Sequence, residues 1–348
     1  MTTKALITGS AGFIGHHLVT HLLDNTDWEI VCLDRLDVSG NLNRLSEILQ
    51  DRPSQKTRIS LIYHDLKSEI NSMLESVIGP VNIILHLAAA SHVDRSILNP
   101  MEFVMDNVVG TVNLLQFARR QDQLQRFVYF STDEVFGPAT KSVSFKEKDR
   151  YNCTNPYSAS KAGGEEMCVA FHNTYGLPMM ILHTMNVFGE RQHPEKFIPM
   201  CIRKILLDEE ILIHANATLT EPGSRFYVHA RDVADAVLYL LTQINVDDVK
   251  YPDELVAECP KFNIVGINEI DNLTMANSIA AVLDRPLRYR LIDYHSSRPG
   301  HDLRYALDGS LMTRLGWQPK QSVKQWLPGV VKWTVENYSW LGLNRKIQ

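Results

Sequence analysis

The chain has 348 residues, 45% of them hydrophobic and 22% charged, and a formal net charge of −5. That apolar share is ample for a large core and suggests one big domain or two. The acidic balance argues against a sequence-independent nucleic-acid binder, which is normally basic. Five cysteines (Cys32, Cys153, Cys168, Cys201 and Cys259) form no CxxC pair; this argues against a zinc or disulfide framework and for a reducing compartment. An apolar strand starts directly after Met1-Thr2-Thr3-Lys4, with no signal-peptide hydrophobic region and no long uncharged apolar run. A soluble, cytoplasmic protein with no membrane and no nucleic acid among its partners is expected.

From Lys4 to about Asn186, short apolar runs alternate with longer amphipathic stretches. Strands are expected at Ala5 to Ile7, Ile30 to Leu33, Ile59 to Ile62, Ile83 to His86, Phe127 to Phe130 and Met179 to Leu182. Helices are expected at Phe13 to Leu23, Leu42 to Gln50, Pro100 to Arg119 and Tyr157 to Tyr175. This alternation predicts an α/β fold, a doubly wound parallel Rossmann sheet. After Gly189 the regularity weakens and loop-like stretches enter. A long apolar helix over Ala230 to Leu241 and a strand at Phe262 to Val265 follow. The spacing suggests a smaller C-terminal lobe over the sheet's carboxyl edge.

The run Thr8-Gly9-Ser10-Ala11-Gly12-Phe13-Ile14-Gly15 directly follows the first strand and opens the first helix. Gly9 permits a tight turn, Gly12 a close approach of backbone to a pyrophosphate, and Gly15 close helix packing; the helix N-terminus attracts the phosphate charge. Asp34 ends the second strand, where a carboxylate bonds a ribose 2′-hydroxyl and repels a 2′-phosphate. The expected cofactor is therefore NAD, with Arg35 the one feature pointing toward NADP.

Phe127 to Phe130 runs into Ser131-Thr132-Asp133-Glu134-Val135-Phe136-Gly137. Open α/β sheets place their chemistry just past such strand ends, so a hydroxyl and two carboxylates leave one tip together. Tyr157 and Lys161, four residues apart, share a helix face. A free tyrosine, with a pKa of about 10, is too weak a base at neutral pH; a neighbouring ammonium and the positive nicotinamide are expected to lower it. Each feature alone is ordinary, since this spacing recurs in amphipathic helices and adjacent acids usually lie solvated on loops. Together with the glycine run they read as a redox site with an extra acid and base, which points to an elimination driven by a transient oxidation. The histidines lack ligand spacing, so no metal is expected.

Thr8 to Gly15, Asp34, Asp65-Leu66, His86-Leu87-Ala88-Ala89, Asn107 and Tyr157 with Lys161 resemble the extended short-chain dehydrogenase/reductase family. Ser91 to Ser96, Thr132 to Glu134, Pro194 to Pro199 and Arg298 to Tyr305 narrow the resemblance to nucleotide-sugar 4,6-dehydratases of the dTDP-glucose or UDP-glucose type. The resemblance implies that Gly9, Gly12, Phe13, Ile14, Gly15, Asp34, Asp65, Leu66, Ala88, Ala89, Tyr157 and Lys161 hold NAD. It implies that Ser91, Asn186, Glu195, Lys196, Phe197, Arg225 and Arg298 hold the nucleotide sugar. His301 either binds a phosphate there or is a structural histidine. Tyr157 would take the sugar 4-hydroxyl proton with Thr132 bonded to the same oxygen, Glu134 would be the base at C5, and Asp133 the acid at the C6 hydroxyl. C4 oxidation, loss of water across C5 and C6 and hydride return to C6 would give a 4-keto-6-deoxy sugar. Three positions depart from the pattern, His183, Val187 and Phe188, and are expected near the sugar-nucleotide pocket.

The resemblance also implies a NAD-binding domain over 1–189, rejoined by 226–265, a nucleotide-sugar-binding lobe mainly over 190–348, and a homodimer paired through the helices Pro100 to Arg119 and Tyr157 to Tyr175. A 4-epimerase or a UDP-glucuronate decarboxylase would share the fold and the oxidation but would not need an acid at Asp133. A catalytically silent NAD-binding scaffold would gain nothing from Thr132, Asp133, Glu134, Tyr157 and Lys161.

Overall fold

A computed structural model describes residues 2–37, 39–249, 251, 258–294 and 303–344. Its centre is a seven-stranded sheet: β1 (Lys4–Thr8), β2 (Glu29–Asp34), β3 (Ile59–Tyr63), β4 (Ile83–His86), β5 (Arg126–Thr132), β6 (Met179–Thr184) and β7 (Lys261–Ile264). The order is β7-β6-β5-β4-β1-β2-β3, and every neighbouring pair is parallel. The order reverses between β1 and β4, which opens a crevice at their carboxyl ends.

Both faces are covered, so each strand is apolar on both sides. Ala5, Ile7, Val128, Phe130, Met180 and Leu182 face α1 (Phe13–Asn25) and the helix Ala230–Thr242. The alternate residues Leu6, Phe127, Tyr129, Met179 and Ile181 face the helices Gly110–Ala118 and Pro156–Tyr175. A third apolar cluster joins the helices Phe197–Leu206, Asn272–Leu283 and Val323–Glu336 to the strand Ile211–Ala215, which pairs in parallel with Tyr289–Asp293.

The helix expected over Pro100 to Arg119 is interrupted. It is α-helical over Pro100–Val104 and Gly110–Ala118, with a π turn over Met105–Val109 between them. Such a turn re-aims side chains and recurs at functional sites. Here it turns Asp106 and Asn107 inward, both nearly fully buried. Asn107 clasps Ala90 through both backbone groups (2.8 and 3.0 Å) and bonds Ser160 Oγ at 2.8 Å. The loop after β4 is thereby tied to the helix that bears Tyr157.

Among the described residues no helix is long and apolar enough to cross a membrane, and no group of histidine, cysteine and acidic side chains could hold a metal ion.

Candidate active site

The crevice begins at the glycine turn after β1. Gly9 has φ +68°, and a Cβ there would lie 2.7 Å from the Ala88 nitrogen; at Gly15 a Cβ would run into the Gly9 carbonyl. Only glycine therefore lets β1, α1 and the loop after β4 meet so closely. The N-terminal turn of α1, free of acidic residues, opens on the crevice with its backbone donors and positive dipole end. The cradle suits a dinucleotide pyrophosphate.

Asp34 accepts bonds from Ala11 N (2.9 Å) and Leu36 N (2.8 Å), while burial pushes its pKa up. Arg35 turns away from it. Its guanidinium makes a bidentate pair with Asp106 at 2.6 and 2.8 Å and bonds Asp37 at 2.7 Å. The cation that pointed toward a 2′-phosphate is thus already neutralised by two carboxylates, which leaves the Asp34 signal for NAD standing.

Gly9, Gly12, Phe13, Ile14 and Gly15 line one end of a continuous cleft, with Asp34, Asp65, Leu66, Ala88 and Ala89 beside them. Thr132, Asp133, Glu134, Tyr157 and Lys161 line the same cleft, as do Ser91, Asn186 and Lys196. Glu195 lines an adjoining pocket, where it pairs with Arg95 at 2.7 and 2.9 Å. Phe197 packs instead into the third apolar cluster. Arg225 is absent from the cleft wall: it bonds the Leu303 carbonyl at 2.6 Å and lies 4.7 Å over the Tyr305 ring, though its charge still reaches Asp133. Arg298 and His301 lie outside the described residues.

β5 ends at Thr132, and a 3-10 turn over Asp133–Phe136 follows. Thr132 Oγ1 donates to Asp133 Oδ1 at 3.0 Å and accepts from Glu134 N at 3.3 Å. Asp133 is 5% exposed, and its second carboxyl oxygen has no partner among the described residues. Burial and the Glu134 charge push its pKa up to about 7, toward the protonated form that a general acid needs. Glu134 accepts a 3.2 Å bond from Asn155 Nδ2.

Asn155 is a residue the sequence reading missed. It caps the helix Pro156–Tyr175 through a reciprocal pair with Ser158 and holds Glu134 with the same side chain. The Asn-Pro step signals the cap; the second bond needed the tertiary structure.

Tyr157 and Lys161 leave the first turns of that helix, and the Ser96 hydroxyl fixes Tyr157 N at 3.1 Å. Thr132 and Tyr157 line the same cleft, and the Thr132 hydroxyl acts to lower the Tyr157 pKa. Contrary to the sequence expectation, Tyr157 is not made more acidic by the protein alone. Burial and the Glu134 charge push its pKa well above the ordinary value, and the Thr132 hydroxyl lowers it only partly. The spacing argument counted the neighbouring ammonium but not the two carboxylates. Lys161, 4% exposed, is pushed down to about 8 by burial, with its Nζ 4.2 Å over the Tyr129 ring.

Two of the three departing positions also lie elsewhere than expected. His183 is fully buried behind the sheet tip, bonded to Glu165 at 3.1 Å, and Phe188 packs edge-on against Tyr227 and His229. Only Val187 lines the cleft. Side-chain direction along a strand, set by its period of two, decided this.

The profile of the family described as GDP-mannose 4,6 dehydratase matches residues 6–328. A dTDP-glucose 4,6-dehydratase of Escherichia coli is 33% identical over 364 residues, covering 97% of this chain and 95% of that protein. A trifunctional protein of Arabidopsis thaliana whose name begins with UDP-glucose 4,6-dehydratase is 33% identical over 343 residues, covering 97% of this chain and 48% of that one. The crystal structure of DesIV, a dTDP-glucose 4,6-dehydratase from Streptomyces venezuelae with NAD and TYD bound, superposes with a TM-score of 0.82 at 33% identity, covering 97% of this chain and 98% of that one. A profile spanning nearly the whole chain, and relatives a third identical to it, establish that this protein belongs to the GDP-mannose 4,6 dehydratase family.

Proposed function

We propose that the protein is a NAD-dependent 4,6-dehydratase of a nucleoside-diphosphate glucose, making the 4-keto-6-deoxy sugar. The observation that carries this reading is the Asp133–Glu134 pair beside Tyr157: two carboxyls at one strand tip, Asp133 buried with one oxygen unpartnered among the described residues and Glu134 bonded through Asn155. The glycine cradle and Asp34 fit NAD, which when bound supplies the hydride acceptor at C4 and the hydride donor at C6. Tyr157 takes the proton from the 4-hydroxyl, aided by Lys161, while Thr132 holds the same oxygen. Once C4 is a ketone the C5 proton is acidic. Glu134 removes it, and Asp133 protonates the departing 6-hydroxyl.

The part of the cleft lined by Ser91, Asn186 and Lys196 receives the diphosphate, with Lys196 and Arg298 contributing cations and His301 either binding a phosphate or serving the structure. Residues 1–189 with 226–265 serve the cofactor and the remainder mainly the sugar nucleotide. The protein works in the cytoplasm as a homodimer paired through Pro100 to Arg119 and Tyr157 to Tyr175.

Incubation with dTDP-glucose, UDP-glucose and UDP-glucuronate tests the reading by mass spectrometry. Loss of one water from a glucose nucleotide is expected. Release of carbon dioxide from UDP-glucuronate, with no dehydration, would contradict it.

A further inference from the structure

Behind the strand tip lies a charged cluster that the proposed chemistry does not use. Glu165, fully buried, stands one helical turn past Lys161 and two past Tyr157. Its Oε1 accepts from Lys261 Nζ at 2.8 Å and from the Tyr151 hydroxyl. Its Oε2 accepts from Ser131 Oγ at 2.7 Å and lies 3.1 Å from His183 Nε2. Lys261 also donates to the Tyr151 hydroxyl at 2.7 Å. Three adjacent strands thus converge on one carboxylate: Ser131 from β5, His183 from β6 and Lys261 from β7. Burial alone would push Glu165 up; His183 and Lys261 outweigh it and hold the group well below the usual carboxylate range. As a scaffold, such a cluster has little advantage over packed apolar residues, and its cost in desolvation asks for another purpose.

We infer that Glu165 is a positioning residue for the reaction proposed above: its clamped carboxylate keeps Lys161 an ammonium and, through Ser131, pins the strand tip that carries Thr132. Lys161 is buried one helical turn past Tyr157, faced by Tyr129 from β5, His86 from β4 and Cys168 on its own helix. Burial lowers the Lys161 pKa; Cys168 first and Glu165 after it act the other way, and of the two only Glu165 is a carboxylate held in its charged form. Cys168, Cys259 and Cys153 also feel the Glu165 charge, and burial pushes all three thiols up.

The test reads Lys161 directly. In protein carrying carbon-13 lysine, the Lys161 Cε resonance, assigned by its loss in Lys161→Met, is titrated with pH alongside the kcat profile. Glu165→Gln is expected to move the Lys161 midpoint down by about one pH unit, with a roughly fivefold loss of kcat near pH 8. Glu165→Asp, which keeps the charge, should stay within a few tenths of a unit. If Glu165→Gln alone fails to fold around an unpaired Lys261, Glu165→Gln with Lys261→Gln removes both charges and should show the same shift. An unmoved midpoint in a folded glutamine variant, or an equal shift in the aspartate variant, overturns the inference. The titration needs no turnover, so a wild-type protein that failed to dehydrate any glucose nucleotide would sink the dehydratase reading and leave this result to stand by itself.

Discussion

Asp133 shows how the site's needs oppose the fold's. Its carboxyl is buried beside a second carboxylate, and its folded pKa of about 7 lies above the ordinary 3.8. A group raised in this way supports the fold fully below its unfolded pKa and loses that support as the pH rises through the folded value. The expected outcome is that Asp133→Asn, which cannot ionise, melts at a higher temperature than wild type at pH 8, with a gain of at most about 4 kcal/mol. The gain should fade as the pH falls through 7 and be gone below about pH 4. Thermal melts across that range check it, and a variant no more stable at pH 8 would mean that the carboxyl is solvated. The same substitution should slow water loss by about 10²- to 10⁴-fold, the usual worth of a general acid.

At the scale of elements, the helix Pro156–Tyr175 is tied to the tip of β5 because its N-cap, Asn155, also bonds Glu134. Asn155→Ala should cost about 1 kcal/mol of stability through the lost cap. It should also slow elimination more than C4 oxidation, because Glu134 loses its 3.2 Å bond while the Thr132 contact of Tyr157 is untouched. Rapid-mixing measurement of NADH formation against water loss separates the two steps; equal slowing would contradict the assigned hold on Glu134. Elements of this kind also explain what could be read in advance. The glycine run and the Thr132 to Glu134 run each lie within one strand and its following turn, so local spacing was enough to bring them to the same cleft. The π turn at Met105–Val109, the second bond of Asn155 and the Glu165 cluster depend on contacts between distant segments, which periodicity does not encode. The same blindness reversed the expectation for Tyr157, whose neighbouring carboxylates come from the turn after β5 and not from its own helix.

At the scale of the whole molecule, the helices expected to pair two copies leave an apolar face uncovered. Met101 and Val104 are 65% and 41% exposed, as is Leu98 (85%) at the end of the preceding helix Val93–Leu98, and Val108 packs so close to Gly163 that a Cβ there would lie 3.1 Å from it. Apolar side chains grouped in this way are characteristic of an interface. Met101→Glu with Val104→Glu should convert a dimer into a 39.6 kDa monomer in sedimentation; an unchanged mass would place the interface elsewhere. The fold brings one cofactor cradle, one phenol and two carboxyls to a single cleft, and the central claim is that one hydride leaves C4 and returns to C6 of the same sugar. The most direct test uses dTDP- or UDP-glucose deuterated at C4. A 4-keto-6-deoxy product with the deuterium on C6 is expected. Deuterium found back on C4 of an unreduced sugar, with no water lost, would contradict it.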